Sequence, residues 1–173
     1  MALLPIRLYP DEVLRRECRA VESFGAELRA LAGDMVETMH AAPGVGLAAP
    51  QVGVDLRLAV VDVTVGEEKD ALIVLVNPEI VAAEGAEEDV EGCLSIPELT
   101  DKVTRPSAIV VQADDLDGGS FEIAAEGFVA RAICHEIDHL DGILFVDRLR
   151  GLRRDRARRH LRRLERGLLE VRA

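Results

Sequence analysis

The chain has 173 residues, enough for one domain and too few for two ordinary ones. Apolar residues make up 49% and charged residues 31%, with 14 Gly and 7 Pro, which excludes collagen-like, low-complexity and wholly disordered classes. The net charge of −11 is unevenly divided: residues 1–146 carry 10 Lys and Arg against 28 Asp and Glu, and residues 147–173 carry 11 Arg against 4 acids, so any polyanion contact is expected on the basic tail.

After the apolar opening Met1–Ile6, Pro10 and Asp11 predict a helix that carries Val13, Leu14 and Cys18 and ends near Ala20. Leu28, Leu31, Met35, Val36 and Met39 lie at helical spacing with charged residues between them, which predicts a core-facing helix that stops at Ala42-Pro43-Gly44. Leu56–Val63 alternates and Leu72–Val76 is a continuous apolar run. Ile109–Gln112 and Phe121–Ala124 flank Asp117-Gly118-Gly119, so these four segments are read as strands, the last two as a hairpin. A third helix is expected from about Gly127 to Asp141, with Phe128, Ile133, Ile137 and Leu140 buried and Gly142 as its stop. The last, about Leu152 to Glu170, carries Ala157, Leu161, Leu164 and Leu168 as a narrow seam under an arginine coat that stays largely outside. The class is α+β: a mixed or antiparallel sheet around the third helix, with residues 1–150 as the body and 151–173 as a C-terminal helix of the same domain.

The longest stretch without Asp, Glu, Lys or Arg, Thr38–Val54, has 17 residues and holds two prolines and three glycines, so no membrane-spanning helix is expected. The opening is also shorter than the apolar region of a signal peptide. Three cysteines at no zinc-ribbon spacing suit a reducing compartment, here the cytoplasm. With no Trp, one Tyr and four Phe, the chain offers few platforms for stacked bases, and DNA is not an expected partner.

His135-Glu136-Ile137-Asp138-His139 is an HExxH pattern within the third predicted helix. The i, i+4 spacing puts both imidazoles on one face, where they suit one divalent ion, and sets Glu136 beside them as base for an attacking water. Two imidazoles do not complete such a site. The longer pattern HExxHxxGxxH is matched through Gly142 and fails at Phe145; a downstream Glu ligand would have to be Glu165 or Glu170, and Glu165 sits among arginines. Among the cysteines, Cys134 is about 100° around the helix from His135 and Cys18 lies on an apolar face, so both read as core thiols. Cys93, in Glu91-Gly92-Cys93-Leu94-Ser95, lies between strand-like segments where a metal would keep its thiolate deprotonated.

Gly44-Val45-Gly46-Leu47-Ala48-Ala49 satisfies GxGxxA, but it follows a helix and Pro50 would break the helix that a dinucleotide site requires. A plain Gly/Pro turn accounts for most of this segment. It leaves unused Gln51, an amide donor at the end of a glycine-lined wall that suits an oxyanion developing on a carbonyl.

Taken together, Gly44–Gln51, Glu91–Ser95 and His135–Leu140 resemble, in order and separation, the three motifs of peptide deformylases, and Pro10-Asp11 with Leu14-Arg15 is similar to the family's opening. The resemblance covers about residues 4 to 150. It implies metal ligands Cys93, His135 and His139, general acid/base Glu136, and oxyanion donors from the Gln51 amide and the Leu94 backbone N–H. It implies that a formylated peptide adds as a strand near Val45, Gly46 and Gly92. Two positions depart from common family residues: Cys134, where Gln is common, and Thr100, where some members have Arg.

The reaction implied is removal of the N-formyl group from the N-terminal formyl-methionine of nascent polypeptides, with release of formate. Cysteine and two histidines suit zinc by ligand type, whereas the resemblance points to Fe2+, with Zn2+, Ni2+ or Co2+ as substitutes. Two alternatives are a small HExxH metalloprotease and a ribosome- or RNA-binding module with a vestigial site. The resemblance also implies that the C-terminal helix docks on ribosomal RNA or protein. Arg105 is expected to pair with Glu91 or Asp138 behind the ligands.

Overall fold

The computed structural model describes residues 2–68 and 70–167. Within them the order is α1 (Ala26–Ala41), β1 (Gly46–Ala48), β2 (Leu58–Val61), β3 (Ile73–Glu84), β4 (Glu87–Cys93), β5 (Ile96–Arg105), β6 (Ala108–Asp114), β7 (Ser120–Glu126), α2 (Gly127–Leu140) and α3 (Gly151–Glu165). Single 3-10 turns occur at Glu12–Arg15, Ala49–Val52 and Phe145–Arg148.

Five strands form an antiparallel sheet in the order β1-β2-β3-β6-β7, and β4 pairs with β5 as a separate antiparallel ribbon. The fold is α+β. Leu28, Ala32, Met35 and Met39 of α1 pack with Leu58, Val60 and Val76, while Ala130, Ile133 and Ile137 of α2 pack with Val61, Leu75, Ile109 and Val111. The sheet therefore lies between two helices. All four residues of β2 are buried for this reason, where an alternating pattern was expected.

Several elements differ from the sequence expectation. The predicted helix from Asp11 to Ala20 is only the turn Glu12–Arg15, capped by the Asp11 side chain on Val13 N–H at 3.0 Å. Arg16 is already extended, and Cys18 N–H donates to the Leu140 carbonyl at 2.8 Å, so the end of α2 provides a partner that the helix would otherwise supply. β3 runs on past Val76 because the Asn77-Pro78 step is absorbed as an irregularity in its pairing with β6, with Asn77 at φ 51°. The β4–β5 ribbon was not predicted. In β5 the buried positions are Ile96, Leu99, Asp101, Val103 and Arg105, and two buried charges break the apolar alternation that marks a strand. Phe128, expected in the core, is 53% exposed.

Helix α2 ends where expected. Gly142 adopts φ 70°, and a Cβ there would come within 2.6 Å of the Arg15 carbonyl oxygen, so only glycine lets the opening segment cross the end of α2. Ala157, Leu161 and Leu164 of α3 are buried in one cluster with Leu14, Ile96, Leu99, Val103 and Phe145. Arg153 and Arg156 fold back from the arginine coat onto Glu88 and Asp101, at 2.5 and 2.6 Å, while Arg154, Arg158, Arg159, Arg162 and Arg163 are exposed. Leu168 and Glu170 lie outside the described residues. No helix among the described residues is long and apolar enough to cross a membrane.

Candidate active site

The two histidines of α2 meet the Glu91–Ser95 segment because β4 ends at Cys93 directly against the helix. Cys93 Sγ lies 3.2 Å from His139 Nε2, and one donor atom from each of Cys93, His135 and His139 falls within 4.8 Å of the others. A cysteine sulfur and two imidazoles at this separation are a donor set that suits one tetrahedral ion with a remaining open position. Cys18 and Cys134 are buried elsewhere in the core, with burial pushing both thiols up, Cys18 to about 11. Two buried side-chain atoms among the described residues have no hydrogen-bond partner, Glu136 Oε2 and His139 Nδ1. Both belong to the HExxH segment, and buried polar atoms are seldom left unpaired without a role.

Glu91 orients the first imidazole. Its Oε2 accepts from His135 Nδ1 at 3.0 Å, which leaves Nε2 for a ligand role, the usual carboxylate–histidine arrangement at metal sites. Arg105 donates to Glu91 from Nε and Nη2 at 2.8 and 2.9 Å and to Asp138 from Nη1 at 2.6 Å. Arg105 thus pairs with both predicted carboxylates. Arg131 adds a bond to Glu91 Oε1 at 2.9 Å, and Arg148 completes Asp138 at 2.6 Å. Sequence reasoning missed both arginines; the one available signal for Arg131 was its position four residues before His135, on the same helix face.

Burial raises the Glu91 carboxyl, but the bonds from Arg105 and His135 outweigh it and hold the group down at about 2. A group depressed on folding contributes stability above its unfolded value, near 4.5, and loses it as pH falls toward about 2. The thermal midpoint is therefore expected to drop across that window. Glu91→Gln should begin lower and fall less over the same range, as thermal unfolding at stepped pH would show.

Burial pushes the Glu136 carboxyl up to about 7, and a cation held by its neighbours would draw it down again. For His139, burial lowers the value well below the ordinary imidazole range and favours the neutral form that offers a lone pair. Burial also opposes the charge on His135, yet its bonds to Cys93 and Glu91 raise it well above that range.

The Gly44–Gln51 segment forms the facing wall. Gln51 is 1% exposed; its Oε1 accepts from Ala48 N–H at 2.9 Å, which turns Nε2 toward Ser95 Oγ at 3.2 Å and Cys93 Sγ at 3.7 Å. A Cβ on Gly46 would overlap Glu136 Oε1, so the glycine makes room for the carboxylate. Leu94 occupies the turn between β4 and β5 and packs its side chain on Gly44. A cavity of about 500 Å³ is lined by every predicted site residue except the fully buried His139, and Phe128 stands in its wall. Gly46 opens the edge strand β1, with Val45 just before it accepting from Asp62 N–H at 2.9 Å, and Gly92 lies in β4, whose only strand partner among the described residues is β5, so both strands have an edge that could take an added strand.

Comparisons with known proteins show the family. A family model described as polypeptide deformylase matches residues 3–155. The peptide deformylase of Acidobacterium capsulatum is 48% identical over 166 residues, which covers 96% of this chain and 98% of that protein. That of Caldicellulosiruptor bescii is 54% identical over 149 residues, 86% of this chain and 87% of its own. The crystal structure of a peptide deformylase from Legionella pneumophila superposes with a TM-score of 0.87 at 47% identity, covering 96% of this chain and 98% of that one. With the match spanning nearly the whole chain in sequence and in fold, this chain belongs to the peptide deformylase family of metal-dependent hydrolases.

Proposed function

We propose that Cys93, His135 and His139 hold one divalent ion for the reaction of this family, hydrolysis of the N-formyl group from the N-terminal formyl-methionine of nascent polypeptides. The observation that carries this reading is the convergence of a thiol and two imidazoles beside a buried carboxylate with an unpaired oxygen. The ion supplies Lewis-acid chemistry, acidifying a water and polarising a carbonyl. Fe2+ is the proposed native ion, with Zn2+, Ni2+ or Co2+ as substitutes.

The chain's own residues do the rest. Glu136 takes the proton of the attacking water and returns it to the departing amine nitrogen, since its carboxylate lies between the two ligands in sequence and projects into the cavity wall. The Gln51 amide, fixed by Ala48, and the Leu94 N–H stabilise the charge that develops on the formyl oxygen. The substrate backbone pairs with the open edges near Val45, Gly46 and Gly92, which places the formyl end at Cys93. Formate and a free amino terminus leave.

Formate measured from a formyl-Met peptide tests the reading. Stoichiometric formate with an otherwise intact peptide is the expected result; amino acids released without formate would instead mean a small HExxH metalloprotease.

We further propose that residues 1–150 with the C-terminal helix form one cytoplasmic domain, and that α3 docks on ribosomal RNA. Its exposed Arg158, Arg159, Arg162 and Arg163 support this reading. Removing the helix would open the cluster that Ala157, Leu161 and Leu164 complete, so charge variants are the cleaner probe. Co-sedimentation with ribosomes should weaken by roughly one log–log unit per phosphate contact as salt rises. Replacing those four arginines by Gln should flatten the dependence and leave short-peptide deformylation unchanged.

A further inference from the structure

Arg131 is a buried arginine, 4% exposed, in the first half of α2. Beyond its bond to Glu91, its Nη1 donates to the Val103 carbonyl at 2.8 Å, and its Nη2 to the Glu87 carbonyl at 2.8 Å. One guanidinium thus joins α2 to both strands of the β4–β5 ribbon and to the carboxylate that orients His135. The ribbon has no strand partner in the five-stranded sheet, so its placement against α2 depends on side-chain bonds and on its apolar contacts. Cys93 is the last residue of β4, six residues beyond Glu87, and its distance from the two histidines follows from where that strand is fastened.

Arg105 cannot substitute for this link. It lies on β5, and its bonds to Glu91 and Asp138 hold the carboxylates, whereas the carbonyls of Glu87 and Val103 receive their side-chain bonds from Arg131. A lysine at 131 would keep the charge and lose the fork, which is what lets one side chain reach two strands and a carboxylate.

We propose that Arg131 is a positioning residue for the metal centre: it sets the spacing between Cys93 on the ribbon and the histidines of α2, and so governs how tightly the ion is held. This rests on the ligand set proposed above. The test uses full-length protein loaded anaerobically with Co(II). Wild type, Arg131→Lys and Arg131→Met are compared by absorption spectrum, by the rate of cobalt transfer to a chelator, and by thermal midpoint. Leu28→Ala, a core deletion in the α1 cluster, controls for general destabilisation.

The expected result is that Arg131→Met loses cobalt at least ~10-fold faster than wild type, the scale of losing an outer hydrogen-bond partner. Its visible bands shift, Arg131→Lys falls between, and Leu28→Ala changes the midpoint alone. If Arg131→Met does not fold, Arg131→Lys decides by the same readouts. Arg131 variants with the wild-type spectrum and off-rate overturn the proposal while leaving the ligand set intact, and so does equally fast loss from Leu28→Ala. A wild type without a thiolate-to-cobalt band overturns the ligand set and the proposal with it.

Discussion

Replacing Glu136 by Ala is expected to lower formate release at least ~100-fold while metal content stays at the wild-type level, since general acid/base groups contribute about 10²–10⁴-fold. The separation of the two readouts follows from the geometry. Cys93, His135 and His139 converge without the carboxylate, and Glu136 Oε2 makes no bond among the described residues that would be lost. The alanine side chain is smaller than the carboxylate it replaces and meets no glycine Cβ at Gly46, so the substitution creates no clash there. Glu136→Gln preserves the shape and removes the proton acceptor, and it should be as inactive as the alanine variant. Near wild-type turnover in either would remove Glu136 from the chemistry.

Cys93→Ala should have the larger effect on the metal. It takes away the one proposed ligand that does not come from α2, leaving two imidazoles on one helix face. Loss of affinity should exceed the ~10–100-fold that follows removal of an outer partner such as Glu91. The variant should be isolated with substoichiometric metal and fail to release formate. Its fold should persist, because Cys93 is only partly buried and packs at the edge of its apolar cluster. Full metal occupancy in Cys93→Ala would place the third ligand elsewhere.

The convergence of the candidate site was more legible in the sequence than the scaffold around it. HExxH puts two imidazoles and a carboxylate together by helical periodicity alone, and a rigid helix leaves little freedom in how they are arranged. Cys93 stands apart because Cys134 lies about 100° around the helix from His135 and Cys18 sits on an apolar face, whereas Gly92 beside Cys93 permits close backbone approach. The β4–β5 ribbon was not legible. Its inward positions include Glu91, Asp101 and Arg105, which neutralise one another or pair with α2 and α3 only after folding, and an acidic run such as Glu87–Glu91 reads as solvated loop. The same physics hid Arg131. Buried ion pairs have no periodic signature, because their stability depends on partners distant in sequence.

At the start of the chain the failure had a different cause. The residues from Asp11 to Ala20 carry helix-favouring signals, but Cys18 and Arg19 take backbone partners at Leu140, Leu56 and Arg57, and that competition is tertiary. Phe128 was placed in the core by periodicity, yet it stands in the cavity wall. Apolar residues that line a substrate site and those that fill a core share one pattern, and only the structure separates them.

The central claim is that one ion sits among Cys93, His135 and His139. An anomalous-scattering map from crystals of the metal-loaded protein, collected at the absorption edge of the bound metal, addresses it most directly. The account predicts a single strong peak about 2.0–2.3 Å from Cys93 Sγ and from one nitrogen of each histidine, with Glu136 close by but outside bonding distance. A map with its peak elsewhere, or with Glu136 or Cys134 among the ligands in place of Cys93, would contradict it.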